Sequence, residues 1–185
     1  MASDDRRAAI IHAVWQVIAE RGMAAVSMRT VAAAAGVSVG RIQYWFASKD
    51  ELVRAGLAAM LTGAAEQHAD ATAGADDREQ LWQLVGHPIP RTAAERAGVS
   101  VFHQYAAAAI HHPALAAMLA DAKDGQERAA ARLVTAIAPA LDDPLAAARA
   151  LIATADGLTV RVLIGGLSAD DAERALRDAL HRLTG

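Results

Sequence analysis

The chain has 185 residues, 54% of hydrophobic type and 21% charged, with a formal net charge of −3 and no cysteine. That composition supports a buried core without metal or disulfide staples, and it excludes disulfides, thiolate metal sites, Fe–S clusters and thiol nucleophiles together. No apolar run approaches the ~18–20 residues of a membrane span, and the start MASDDRRAAI has acids where a signal peptide has its basic region, so a soluble cytoplasmic protein is expected.

Alanine, the best helix former, makes up roughly a quarter of the residues. Strand signals are nearly absent, and apolar positions recur at three and four residues instead. Ile10, Val14, Val17 and Ile18 share one helical face with Trp15 at its edge, and Gly22 stops that helix. Ser27 caps a short helix that turns Met28, Val31 and Ala35 inward and ends at Gly36. Ser38 caps the next, with Ile42 and Phe46 on its buried side. Ser48 and Glu51 form a capping box for a long helix through about His68. The second and third helices are joined by a tight glycine-containing turn, the helix-turn-helix layout.

A small, polar loop from Ala69 to Asp77 precedes a helix around Arg78–Val85, which His87-Pro88-Ile89-Pro90 breaks. The next helix, from about Arg91 to His111, is apolar on more than one face through Val99, Val101, Phe102, Tyr105 and Ile110, so it is buried or lines a cavity. Pro113 opens a helix to about Ile137. Asp143-Pro144 caps and starts another through Ile164, ended by Gly165-Gly166. Ser168 with Asp171 opens the last, with Leu176, Leu180 and Leu183 on one stripe. The fold expected is all-α with about nine helices.

The stretch from Ser27 to Leu52 reads SMRTVAAAAGVSVGRIQYWFASKDEL. With Arg21-Gly22 before it, the run Val37-Ser38-Val39-Gly40, the aromatic cluster Tyr44-Trp45-Phe46 and the run Ser48 to Leu52, it resembles the DNA-binding region of TetR-type transcriptional repressors from Ile10 to about Leu57. HHPALAAML and ALIATADGLTVRVLIGG are more loosely similar to the regulatory domain of the BetI-like part of that family. The resemblance implies a helix-turn-helix DNA-binding domain over residues 1–50. It implies a ligand-binding and dimerisation domain over residues 51–185.

Physical chemistry points the same way. A recognition helix must enter a major groove ~12 Å wide with base-reading side chains near its N-terminal half. Gly40 permits close backbone approach there, and Arg41 and Gln43 have the reach to bridge guanine O6/N7 and adenine N6/N7. Tyr44, Trp45 and Lys49 are placed for phosphates, which set register rather than sequence. Ser38 opens a helix whose first N–H groups can face a phosphate, and by the resemblance Arg29 also reaches DNA. Trp45 either touches DNA or covers the core; Val39 either meets a thymine methyl or packs; Arg6 and Arg7 are either a solvated pair or phosphate contacts. Residues 1–54 carry seven Arg and Lys against five Asp and Glu, a net +2, while the remainder carries eleven against sixteen, −5. A basic head on an acidic body suits a polyanionic partner for the head.

The resemblance also implies a small-molecule effector cavity and a homodimer. Candidate pocket liners are Met60, Trp82, Phe102, His103, Tyr105, Met118 and Thr159, which combine aromatic walls, thioethers and a few polar groups; each is otherwise plain core. By the resemblance, a two-fold interface between the last two helices and their copies would use Leu158, Val162, Leu176, Leu180 and Leu183. Part of that stripe must pack inside its own subunit.

His103, His111 and His112 lack a carboxylate at helical spacing, and the adjacent pair points to different faces. They read as helix-end histidines before Pro113, and no metal or cofactor is expected. Asp156 and Arg161, inside an apolar helix, are either solvent-facing or paired. No P-loop, GxGxxG, GxSxG or HExxH pattern occurs, so catalysis is not expected. The function expected is a homodimeric repressor that binds a palindromic operator and is released by a small molecule. The alternative is a helical small-molecule-binding protein without DNA binding. Outward projection of Arg41, Gln43 and Tyr44 together separates the two.

Overall fold

The computed structural model describes residues 2–184, and the side chains of residues 5–183. Among them the chain forms nine α-helices and no strand: α1 Ala2–Arg21, α2 Met28–Ala34, α3 Val39–Trp45, α4 Lys49–Ala71, α5 Asp77–Gly86, α6 Ala93–Ala109, α7 Pro113–Ile137, α8 Pro144–Leu163 and α9 Ala169–Thr184. A single 3-10 turn, Met23–Ala25, follows α1.

Local side chains set the helix starts by taking up the first, otherwise unpaired N–H groups. The Thr30 N–H donates to Ser27 Oγ at 3.1 Å, and the Ser27 N–H donates to Thr30 Oγ1 at 2.9 Å, a full capping box for α2. Ser38 accepts from the Arg41 N–H at 3.2 Å. Ser48 accepts from the Glu51 N–H at 3.1 Å, while the Glu51 carboxylate accepts from Ala47 N–H at 2.7 Å. Helix α5 begins a residue earlier than its sequence suggests, because Asp76 accepts from the Glu79 N–H at 2.9 Å. The stop between α2 and α3 is a left-handed Gly36, φ 65°, with the Val37 N–H reaching back to the Ala32 carbonyl at 3.0 Å. Only glycine takes that conformation freely, so the tight turn of the helix-turn-helix is written in one residue.

The chain divides into two compact units: residues up to 64 with 97–119, and residues 65–96 with 120 onward. In the first, Ile10, Val14 and Ile18 of α1 share a core with Val31 of α2, Ile42 of α3, Phe46, Leu52 and Leu57 of α4, and Val101, Tyr105 and Leu115 from α6 and α7. Gly56 of α4 is where backbone and side chain approach most closely. A Cβ there would collide with the Tyr105 hydroxyl and stand 3.3 Å from Val14 Cγ1. The Gly56 carbonyl accepts the Trp15 indole N–H at 3.0 Å. The Tyr105 hydroxyl itself is buried without a hydrogen-bond partner, and burial pushes its pKa well above the ordinary phenol range.

The second unit packs Leu81, Trp82 and Val85 of α5 and Ile89 with Val134 of α7, Leu151, Ile152, Ala155 and Val162 of α8, and Leu176 of α9. The Arg177 guanidinium lies 3.6 Å from the centroid of the Trp82 ring, a close cation–π stack. Arg96 donates to the carbonyls of Val162 and Leu163 at 3.0 and 2.7 Å, capping the C-terminus of α8 with a cation. Asp156 is paired with Lys123 at 2.8 Å, whereas Arg161 is exposed. Val162 and Leu176, expected on a subunit interface, are 2% and 0% exposed inside their own unit. Leu158, Leu180 and Leu183 are half-buried against the same core.

Gly56→Ala is expected to lower the melting temperature, at a cost of roughly 1–3 kcal/mol for overpacking. Tyr105→Phe removes the colliding, unpartnered oxygen and should restore much of that loss in the double variant. Thermal denaturation checks this; purely additive effects would show that the close approach is not what keeps residue 56 a glycine.

Candidate nucleic-acid interface

Helix α3 has seven residues and one buried face. Ile42 is 0% and Phe46, its C-cap, 1% exposed, so both sit in the first unit's core. The opposite face is solvent-exposed: Val39, Gly40, Arg41, Gln43 and Tyr44 all stand outward, Tyr44 at 74%. Arg41, Gln43 and Tyr44 are therefore all solvent-exposed rather than packed. Ser38, Lys49 at the start of α4, and Arg29 on α2 are also exposed. Val39 is 36% exposed. Trp45 is half-buried against the core, its ring edge-on to Tyr44 with centroids 5.2 Å apart. Its indole nitrogen is buried without a partner. Trp45 thus covers the core and props Tyr44.

Behind this surface lies a polar tie that the sequence did not disclose. Asp50, in the first turn of α4, accepts from Arg54 Nε at 2.7 Å and from His112 Nε2 at 2.6 Å. His112 Nδ1 accepts the Leu115 N–H at 3.3 Å at the start of α7. The Nδ1 acceptor role fixes the tautomer: Nε2 carries the proton that goes to Asp50. His112 is thus a helix-end histidine, as its place before Pro113 suggested, and also a link to a residue 62 positions earlier. Gln104 makes a second link, donating to the Ile18 carbonyl at 3.1 Å and accepting the Met23 N–H at 2.9 Å. No local signal marks either partner, because helical periodicity is blind to contacts so distant in sequence.

The pocket candidates fall in different places. Met60, Tyr105 and Met118 pack on the first unit's core, and Phe102 and His103 meet edge-on at 5.7 Å within that unit. His103 Nδ1 donates to the Val99 carbonyl at 2.9 Å. Trp82 and Thr159 belong to the second unit; Trp82 is stacked under Arg177, and Thr159 is wholly buried with its hydroxyl unpartnered. The hydroxyls of Tyr105 and Thr159 are buried without a hydrogen-bond partner.

An exposed short helix anchored by two buried residues, following a glycine-stopped partner helix, defines a helix-turn-helix DNA-binding protein. The profile described as "Bacterial regulatory proteins, tetR family" matches residues 10–55, and that described as "BetI-type transcriptional repressor, C-terminal" matches residues 77–185. The HTH-type transcriptional regulator BetI of Stenotrophomonas maltophilia is 34% identical over 166 residues, covering 87% of this chain and 83% of its own length. A TetR-family transcriptional regulator from a Rhodococcus species superposes with a TM-score of 0.88 at 25% identity, covering 98% of this chain and all of its own. A transcriptional regulator from Saccharomonospora viridis, solved in complex with choline, gives 0.87 at 28% identity over 96% of each chain. The chain belongs to the TetR family of transcriptional regulators, with a C-terminal domain of BetI type, a family of DNA-binding proteins and not of enzymes. No helix among the described residues is long and apolar enough to cross a membrane.

The hydrogen bond from Arg54, then that from His112, holds the Asp50 carboxyl below its ordinary pKa, against the opposing effect of desolvation. A depressed carboxylate pKa stabilises the fold above the unfolded value, ~3.9, and that stabilisation is lost as pH falls through the folded value. Asp50→Asn should therefore lower the melting temperature at neutral pH, with the deficit shrinking as pH drops below about 4. A deficit independent of pH, followed by thermal melts across that range, would contradict the ionic role.

Proposed function

We propose that the protein is a homodimeric repressor that binds a palindromic operator and is released by a small-molecule effector, with residues 1–50 reading DNA and residues 51–185 carrying the effector and dimer functions. The observation that carries the reading is the joint outward projection of Arg29, Arg41, Gln43, Tyr44 and Lys49 around a helix anchored by Ile42 and Phe46. Gln43 suits base readout, whereas Lys49 suits phosphates. The full-length protein is expected to prefer its own upstream intergenic duplex over a scrambled one, with affinity falling steeply as salt rises. Gln43→Ala should relax preference at one base pair by about 1–3 kcal/mol. Lys49→Ala should weaken all duplexes alike and lower the salt slope by about one. Equal competition by both duplexes at every salt would end the repressor reading. Choline, bound by the S. viridis relative, is the first compound to try for release of the duplex.

A single recognition helix makes few contacts, and two held one helical turn apart, ~34–36 Å, supply operator affinity. The dimer surface we propose is the face of α8 opposite its core. Ala146, Ala150, Ala153, Gly157, Val160 and Ile164 are all exposed and alternate at four and three residues, the heptad spacing of a close-packed helix seam. Ile164 is 76% and Val160 41% exposed, and Gly157 has open space where a Cβ would be. Arg149 and Arg161 flank the stripe without interrupting it. Leu158, Leu180 and Leu183, half-buried, retain a place at its margin. Val160→Asp should shift the protein to monomer in sedimentation velocity and cost most of the operator affinity while the helical signal persists. A dimer unchanged by that substitution would place the interface elsewhere.

A further inference from the structure

A groove of about 270 Å³ opens on the first unit beside the recognition helix. Arg6, Ala9 and Ile10 of α1, Ala35 and Val37 around the α2–α3 turn, and Arg41 of α3 line it. Two guanidiniums therefore face one apolar hollow with no carboxylate in its wall among the described residues. Asp5 precedes Arg6 in the chain but does not line the groove. Both arginines are exposed, and neither has an ion-pair partner among the described residues. Two like charges brought to one cavity repel, and an anion seated between them reverses the sign of that interaction.

Helix geometry specifies which anion. Successive residues of an α-helix are about 100° apart, so Arg41 and Gln43 lie ~160° apart around α3. Gly40 and Tyr44 occupy the middle of the outward face, Gln43 one flank and Arg41 the other. The Arg41 flank is the one that meets α1, since Arg41 shares the groove with Arg6 and Ala9. When a helix lies in the major groove, its outward centre faces base edges and its flanks face the bordering strands.

We propose that this groove seats one sugar-phosphate of the DNA strand bordering α3. Arg6 and Arg41 clamp the same phosphate, and Ala9, Ala35 and Val37 meet the deoxyribose. Arg41 is then a backbone contact rather than the guanine reader its position in the sequence suggests, and base reading falls to the Gly40–Gln43–Tyr44 side. The proposal rests on the DNA-binding reading and adds to it a named phosphate site.

The test uses the full-length protein, its upstream duplex, a scrambled duplex and single-base operator variants, at salt from ~50 to ~200 mM. Arg6→Ala and Arg41→Ala should each weaken every duplex by roughly tenfold, as expected for a lost charge-assisted hydrogen bond. The ratio of specific to scrambled affinity should stay as in the wild type. One shared phosphate predicts that the double variant loses only ~0.9 from the slope of log K against log salt, where two independent phosphates would lose ~1.8. Melting temperatures should not change, because both side chains are exposed and unpaired. Loss of discrimination at one guanine in Arg41→Ala, with Arg6→Ala silent, would overturn the proposal. So would the doubled slope change. Normal selective binding by both variants would overturn it too, and protection by a fatty carboxylate such as decanoate would then assign the groove to a small amphipathic anion. Failure of the wild type itself to discriminate duplexes would instead bring down the underlying DNA-binding reading, so the two failures are distinguishable.

Discussion

A helix of seven residues does not hold itself together in water, because nucleation costs more than so few hydrogen bonds return. Helix α3 exists because Ile42 and Phe46 are buried in a core built by α1, α4, α6 and α7. Every outward residue of α3 takes its direction from those two anchors. Removing the anchors would leave Arg41, Gln43 and Tyr44 in the sequence but without a common face. The same burial explains the economy of the segment. Of the seven residues of α3 only Ile42 is buried and Trp45 half-buried, with Phe46 at the C-cap, and the remainder is exposed.

What was legible in the sequence follows from the range of the interactions involved. Helix starts are local: Ser27, Ser38, Ser48, Asp76 and Asp143 each accept an N–H three residues on, and a local pattern is readable in one chain. Inward faces such as Ile10, Val14 and Ile18 are readable from periodicity because an apolar side chain in water is costly wherever it sits. The identity of the surface each residue meets is not readable that way. Val162 and Leu176 have the residue type of an interface and the burial of a core, and only packing distinguishes them. The exposed face of α8 is unreadable for the converse reason, since alanine and glycine carry little apolar area per residue and nothing in their type tells whether they are exposed. Nor does sequence place Arg6 beside Arg41, or His112 beside Asp50.

The two faces of α8 show how little composition separates stability from recognition. Leu151, Ile152, Ala155 and Val162 lie on the buried side, and Ala146, Ala150, Ala153, Gly157 and Val160 on the exposed one. Large residues fill an interior where elements sit apart, whereas small ones suit a surface that another helix backbone is to approach closely. An exposed stripe of small residues ending in Val160 and Ile164 adds nothing to the unit's own core. Its apolar area is released from water only if something covers it. A second copy of the same helix face would supply such a cover, and it is the dimer surface proposed above.

The ties at Gln104 and His112 then acquire meaning from where they attach. Gln104 holds the last turn of α1 and the turn after it, and His112 holds the first turn of α4, directly behind Lys49. Both come from the segment 97–119, which contributes Val101, Tyr105 and Leu115 to the core that anchors α3. The helix-turn-helix is therefore not a free-standing three-helix module. Part of its core, and the polar clamps on both ends of its scaffold, are lent by residues far along the chain. A buried apolar contact tolerates sliding, whereas a hydrogen bond at 2.6–3.1 Å fixes position and direction. The clamps, more than the packing, are what set the orientation of α1 and α4 against segment 97–119. A displacement of that segment must either carry the head with it or break those bonds.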